Sequence, residues 1–188
     1  MGMGDAAKRR ATYDDLLTVP DHLVAEILDG ELVTSPRPAS THARAASDLG
    51  SELFLSFDKG RGGPGGWVIL FEPELHLGGH VLVPDLAGWR RERMPEMPEV
   101  PAFELAPDWV CEVLSPTTMA RDRVRKLPIY AEQKVRHVWL VDPDARTLEV
   151  FRLDGEGWRL VGLWEGDARV RAEPFDAVEL ELGGLWAR

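Results

Sequence analysis

Two short apolar runs, DWVCEVLS at residues 108–115 and HVWLVDP at 137–143, bracket a helix-patterned segment over 117–135. Runs of that length, rich in Val, Trp and Leu, are strands. A strand, a helix and a strand in that order form a right-handed crossover that leaves the two strands parallel. This pattern limits the chain to folds with a mixed α/β sheet and helices laid against it.

The remaining segments extend that frame. TYDDLL at 12–17 predicts a short helix, with Thr12 as cap and Asp15 at the capping-box spacing. LVAEILDGELVTS at 23–35 reads as a hairpin turning at Asp29-Gly30, the pair a type I′ turn prefers. A helix over 40–57, capped by Ser40 or Thr41, lines up Ala45, Leu49, Leu53 and Phe57 at spacing four. The loop 60–66, GRGGPGG, lacks the Gly-Lys-Ser/Thr of a phosphate-binding loop. Strands are predicted over 67–77 and 80–89, joined by Gly78-Gly79, and the proline-rich stretch 94–107 should be an extended surface loop. Ser115-Pro116-Thr117-Thr118 should end one strand and supply a hydroxyl cap to the next helix, with Pro128 kinking or restarting that helix. The alternating segments 147–153, 157–165 and 177–186 add C-terminal strands. The organisation expected is a mobile tail over 1–11 and one domain over 12–188.

Charge narrows the functional classes. The chain has 32 acids against 22 bases, a net charge of −10, which speaks against a broad nucleic-acid-binding surface. Arg90, Arg91 and Arg93 cluster, as do Arg121, Arg123, Arg125 and Lys126, so any polyanion contact would be local. No apolar run is long enough to span a membrane. Cys111 is the single cysteine, which excludes an intrachain disulfide and a cysteine zinc site and points to a reducing, cytoplasmic compartment. No Gly-x-Ser-x-Gly is present, and Cys111 reads as core, so a serine or cysteine hydrolase is disfavoured.

Two carboxylates stand out. Along 108–115 the side chains alternate, so Glu112 shares its face with Val110 and Leu114. An ionised, unpaired carboxylate there costs several kcal/mol. Either a core arginine or lysine, or a metal ion, removes that cost. Asp85 follows Pro84 in an otherwise apolar run. Two strand carboxylates brought side by side make a hard-oxygen site for Mg2+ or Mn2+. On the following helix Asp122 and Lys126 are i, i+4 neighbours, with Tyr130 next along that face. They are either a surface pair or a positive charge aimed at a phosphate.

The order Pro84-Asp85, then Glu112 in an apolar strand, resembles the PD-(D/E)xK nuclease motif. More closely, AEILDGELVTSP, His42, VPDLAG, PDWVCEVLSPTT and RDRVRKLPIYAEQKVRHVWLVDPDARTLEVFR make the chain resemble the Uma-two family of bacterial restriction endonucleases. That resemblance implies a restriction-endonuclease-like core and a DNA phosphodiesterase dependent on Mg2+ or Mn2+, with Asp85 and Glu112 as metal ligands. It also singles out Glu26 as a third carboxylate and His42 as a group that orients water or phosphate. Leu114 stands where the wider superfamily has lysine, and Lys126 is implied as its replacement.

The leading expectation is therefore a metal-dependent DNA endonuclease. The alternative is a non-catalytic nucleic-acid-binding or protein-interaction module that retains the fold, favoured by the acidic charge and by Leu114. A homodimer is expected through the apolar C-terminal segment that carries Trp158, Trp164 and Trp186.

Overall fold

The computed structural model describes residues 9–187. Most of the expected tail, residues 1–8, lies outside the described residues. Residues 9–11 make defined contacts: the Arg9 guanidinium donates to both carboxylate oxygens of Asp15, and the Ala11 amide donates to the Gly30 carbonyl at 2.7 Å.

The first helix, α1 (Tyr13–Leu17), has the full capping box, with Thr12 and Asp15 bonded reciprocally. The hairpin of β1 (Leu23–Leu28) and β2 (Glu31–Pro36) turns at Asp29 and Gly30, with φ of 53° and 78°. Both central residues are left-handed, as a type I′ turn requires. Helix α2 (Ser40–Leu53) runs on into a π turn over Phe54–Asp58. Its cap differs from expectation: Ala39 takes the N-cap position, without a side-chain bond.

Each of the next two predicted strands divides. The run 67–77 becomes β3 (Trp67–Phe71) and β4 (Leu75–Leu77); the run 80–89 becomes β5 (His80–Leu82) and β6 (Leu86–Arg90). The breaks fall at Pro73 and Pro84, which cannot donate to a ladder, and Glu72 beside the first break has φ of 45°. The two halves then part company. β4 and β5, hairpinned at Gly78-Gly79, join the first hairpin in a sheet of order β2-β1-β5-β4, while β3 and β6 pair in the larger sheet.

The larger sheet adds β7 (Trp109–Val113), β8 (His137–Asp142), β9 (Thr147–Asp154) and β10 (Gly157–Glu165), in the order β10-β9-β8-β7-β6-β3. Only β7 and β8 pair in parallel in this sheet, and the chain between them forms α3 (Met119–Arg121), a π turn over Asp122–Lys126, and α4 (Leu127–Glu132), with Pro128 in the first turn. The crossover expected from the sequence is thus present. The alternation of β7 divides two cores. Trp109, Cys111 and Val113 pack with Ala45, Leu49 and Leu53 of α2, whereas Val110 and Leu114 pack with Ile129 and Tyr130 of α4 and with Leu28.

The proline-rich stretch is less superficial than expected. Met94 is buried, Phe103 bridges to Leu75, and the Trp89 indole donates to the Leu105 carbonyl at 2.8 Å. The segment 177–186 is also not a long strand. It forms β12 (Leu180–Glu181), paired with β11 (Arg169–Val170), and then a 3-10 turn over Leu182–Trp186 that contains Gly183-Gly184. Among the described residues no helix is long and apolar enough to cross a membrane.

Candidate active site

Asp85 lies at the bend just before β6 rather than inside a strand, because Pro84 interrupts the ladder there. The register Leu86↔Cys111 nevertheless carries Asp85 to the step beside Glu112. Asp85 alternates with Ala87 and Trp89, and Glu112 with Val110 and Leu114; all four apolar residues belong to the same core. The two carboxylates therefore share one face of the sheet. Asp85 is fixed from two sides: its Oδ2 accepts the Val113 amide at 2.7 Å, and its Oδ1 lies 2.6 Å from His42 Nε2. His42 arrives from the first turn of α2.

The crossover helix supplies the cation. Lys126 Nζ donates to Glu112 Oε2 at 3.0 Å and lies 2.9 Å from Glu26 Oε1 and 3.5 Å from Asp122 Oδ1. The Tyr130 hydroxyl donates to the other Glu112 oxygen at 2.5 Å. Glu26 comes from β1 and accepts the Val83 amide at 2.9 Å. The structure thus brings all five sequence-derived residues, Glu26, His42, Asp85, Glu112 and Lys126, to one cavity of about 300 Å³. One of them differs from the surface alternative the sequence left open: Lys126 is no exposed helix lysine, its side chain being 4% accessible, and its partner Glu26 is as deeply placed at 2%.

Arg121 and Arg125 close the wall that buries them. Arg121 donates to Ser35 Oγ at 3.1 Å and has its Nε 3.9 Å from Glu26; Arg125 donates to the Leu28 carbonyl at 2.7 Å. Both tie the crossover helix to the β1–β2 hairpin. Sequence reasoning grouped these arginines as a charge cluster, but no local signal told which distant strand they would meet. The first cluster is likewise engaged within the fold: Arg90 stacks over Trp67, Arg91 pairs with Asp58 and Arg93 with Asp108. The hydroxyl cap expected before the crossover helix is absent. Thr118 holds the N-cap position, but its Oγ1 accepts the Ser115 amide at 3.3 Å.

Electrostatics follow from burial. Loss of water pushes the Glu112 carboxyl well above its ordinary range; Lys126 opposes this, while Asp122, Asp85 and Glu26 add to it. Burial also raises Asp122. For Lys126 burial acts to lower the pKa, but the carboxylates of Glu112, Glu26 and Asp122 outweigh it and hold the ammonium charged. The cavity lining carries Glu26, Glu72, Asp85, Glu112 and Asp122 against Arg37, Arg121 and Lys126, so acidic side chains outnumber basic ones there.

A mixed sheet with a parallel β7–β8 pair, carboxylates converging beside it and a lysine from the crossover helix defines a nuclease-type fold. The chain belongs to the Uma2 family, described as "Putative restriction endonuclease", which matches residues 10–183. It is similar in fold to a crystal structure from Anabaena variabilis ATCC 29413 described as "a putative nuclease belonging to DUF820". The two share 24% sequence identity over 94% of this chain and 97% of that chain, with a TM-score of 0.75. A comparison with curated proteins finds no match.

Proposed function

We propose that the chain is a divalent-metal-dependent DNA endonuclease that hydrolyses phosphodiester bonds at the cavity formed by Glu26, His42, Asp85, Glu112 and Lys126. The observation that carries this reading is the convergence of Asp85 and Glu112 on one face of the sheet, in a cavity lined by more acidic than basic side chains, a donor set that a divalent cation would take. The family description supports DNA as the substrate.

The donor set fits a hard cation. Asp85 and Glu112 offer carboxylate oxygens, and each oxygen already in a hydrogen bond keeps further lone-pair capacity. Among the described residues no group of three His, Cys, Asp or Glu side chains forms a metal cage. Mg2+ does not need one, because it usually takes one or two carboxylates and completes its shell with water and phosphate oxygens. Asp85 and Glu112 would hold the ion, which when bound supplies an activated water and offsets charge on the phosphate. His42 holds Asp85 in its rotamer. Lys126 stands where it pairs with Glu26 and Glu112 and adds positive charge near the scissile phosphate, the role that Leu114 cannot fill.

One observation favours the non-catalytic alternative: the Lys126 ammonium already compensates both Glu26 and Glu112. Calorimetric titration with MnCl2 separates the two. The nuclease reading expects one saturable site in the wild type, weakened by Asp85→Asn and by Glu112→Gln; a wild type that takes up no manganese contradicts it.

A homodimer is part of the proposal, on a different basis from the one expected. Trp158 and Trp186 donate their indoles to the Leu127 and Gly166 carbonyls, so they serve the fold. What stays exposed is the outer strand β10, with Leu160 and Leu163 at 49% and 59%. Antiparallel pairing of two β10 strands about Gly162 would set Arg159 opposite the partner's Glu165, twice by symmetry.

A further inference from the structure

Resting on the nuclease reading, we propose that the substrate is an unpaired DNA strand, a single strand or a flap, rather than a continuous duplex. The reacting groups lie deep. The Glu112 and Lys126 side chains are each 4% accessible, and Glu26 is 2%. They sit at the base of a cavity of about 300 Å³. That is the lower end of the range for small-molecule pockets, far below what a duplex occupies.

The walls of this cavity are tied together. One wall is the hairpin, through Val24, Ser35 and Pro36; the other is the turn Ser115–Thr118 with Arg121. The Arg121–Ser35 bond crosses directly between them, and Arg125 fixes the same hairpin by its bond to the Leu28 carbonyl. Opening the cavity for a duplex means breaking these bonds. A duplex is also stiff over about 150 base pairs and presents its phosphates on a convex surface. An unpaired strand bends at each nucleotide and can lower one phosphodiester between two walls.

Charge agrees with the geometry. Duplex-binding proteins lay a track of cations along many phosphates. Here the arginines of both basic clusters are engaged in the fold, with Trp67, Asp58, Asp108, Ser35, Glu149 and the Leu28 carbonyl. The cations that line the cavity besides Lys126 are Arg37 and Arg121. They make a short positive reach at one point, not a track along many phosphates. Among the described residues no aromatic ring other than His42 lines the cavity, so recognition falls on the backbone and carries no strong base preference.

The test presents one fluorescent DNA sequence as a single strand, as a blunt duplex and as a flap, with the single-stranded RNA counterpart alongside. Binding is read by anisotropy in EDTA and cleavage in manganese. The single strand and the flap should be bound at least tenfold more tightly than the duplex, and cut at least tenfold faster. Equal or better binding or cutting of the blunt duplex overturns the inference, as does preference for RNA. If no substrate is cut, the nuclease reading fails by itself; anisotropy still decides the substrate, since a single strand bound no better than duplex overturns the inference alone.

Discussion

Lys126 and Glu112, from the crossover helix and from β7, meet at 3.0 Å with both side chains almost wholly withdrawn from solvent. The same ammonium reaches Glu26 on the β1–β2 hairpin, so one residue joins three elements. A residue so placed acts on stability as well as on chemistry. Lys126→Ala leaves buried carboxylates without their cation and should cost about 3–5 kcal/mol in urea unfolding. A change below about 1 kcal/mol, the value for an exposed ion pair, would contradict the buried geometry.

Metal uptake should depend on pH. Burial holds the Glu112 pKa above the ordinary carboxylate value, so the proton and the metal compete for it. As pH rises through that raised pKa the carboxylate ionises, and affinity for Mn2+ increases; as pH falls, affinity is lost. Calorimetry between about pH 5 and pH 8 should show this rise, with protons released on binding at the acid end. Glu112→Gln should flatten it. A wild-type affinity independent of pH would mean that Glu112 is not a ligand.

Tyr130 offers a milder perturbation. Its hydroxyl donates to Glu112 from a fully buried ring. Tyr130→Phe keeps the ring and removes the donor, and should cost about 1–3 kcal/mol by leaving a carboxylate oxygen short of a partner. Manganese affinity should change with it, because Glu112 is no longer held in one orientation. An unaltered affinity would limit Tyr130 to packing.

Much of this site could be read from the sequence because its signals are local. Glu112 inside an apolar run, Asp85 after Pro84, and Asp122, Lys126 and Tyr130 along one helix face are periodicities visible within a few residues. The depth of Lys126 could not be read. RDRVRK looks like a solvated charge run, and the hairpin that covers it lies roughly a hundred residues earlier in the chain. The broken strands were written in Pro73 and Pro84, yet the continuous apolar pattern around them suggested uninterrupted runs. At the C-terminus AVELELGGLW alternates like a strand, but Gly183-Gly184 lies within a 3-10 turn.

The exposed edge of β10 gives a prediction independent of chemistry. Sedimentation at micromolar concentration should show a dimer, and Leu163→Lys should return it to monomer by placing a charge on the paired edge. A wild type that sediments as monomer with and without DNA would remove the dimer from the account.

Metal-dependent cleavage tests the central claim most directly. Labelled single-stranded and plasmid DNA are incubated with the wild type, Asp85→Asn and Glu112→Gln, in Mn2+ and in EDTA, after each variant is shown to be folded by near-ultraviolet circular dichroism. The account predicts cutting by the wild type in Mn2+ alone, and a loss of about 10²-fold or more in both variants, the scale expected for removing one electrostatic stabiliser of the transition state. Cutting that persists in EDTA, or at the wild-type rate in either variant, would contradict it.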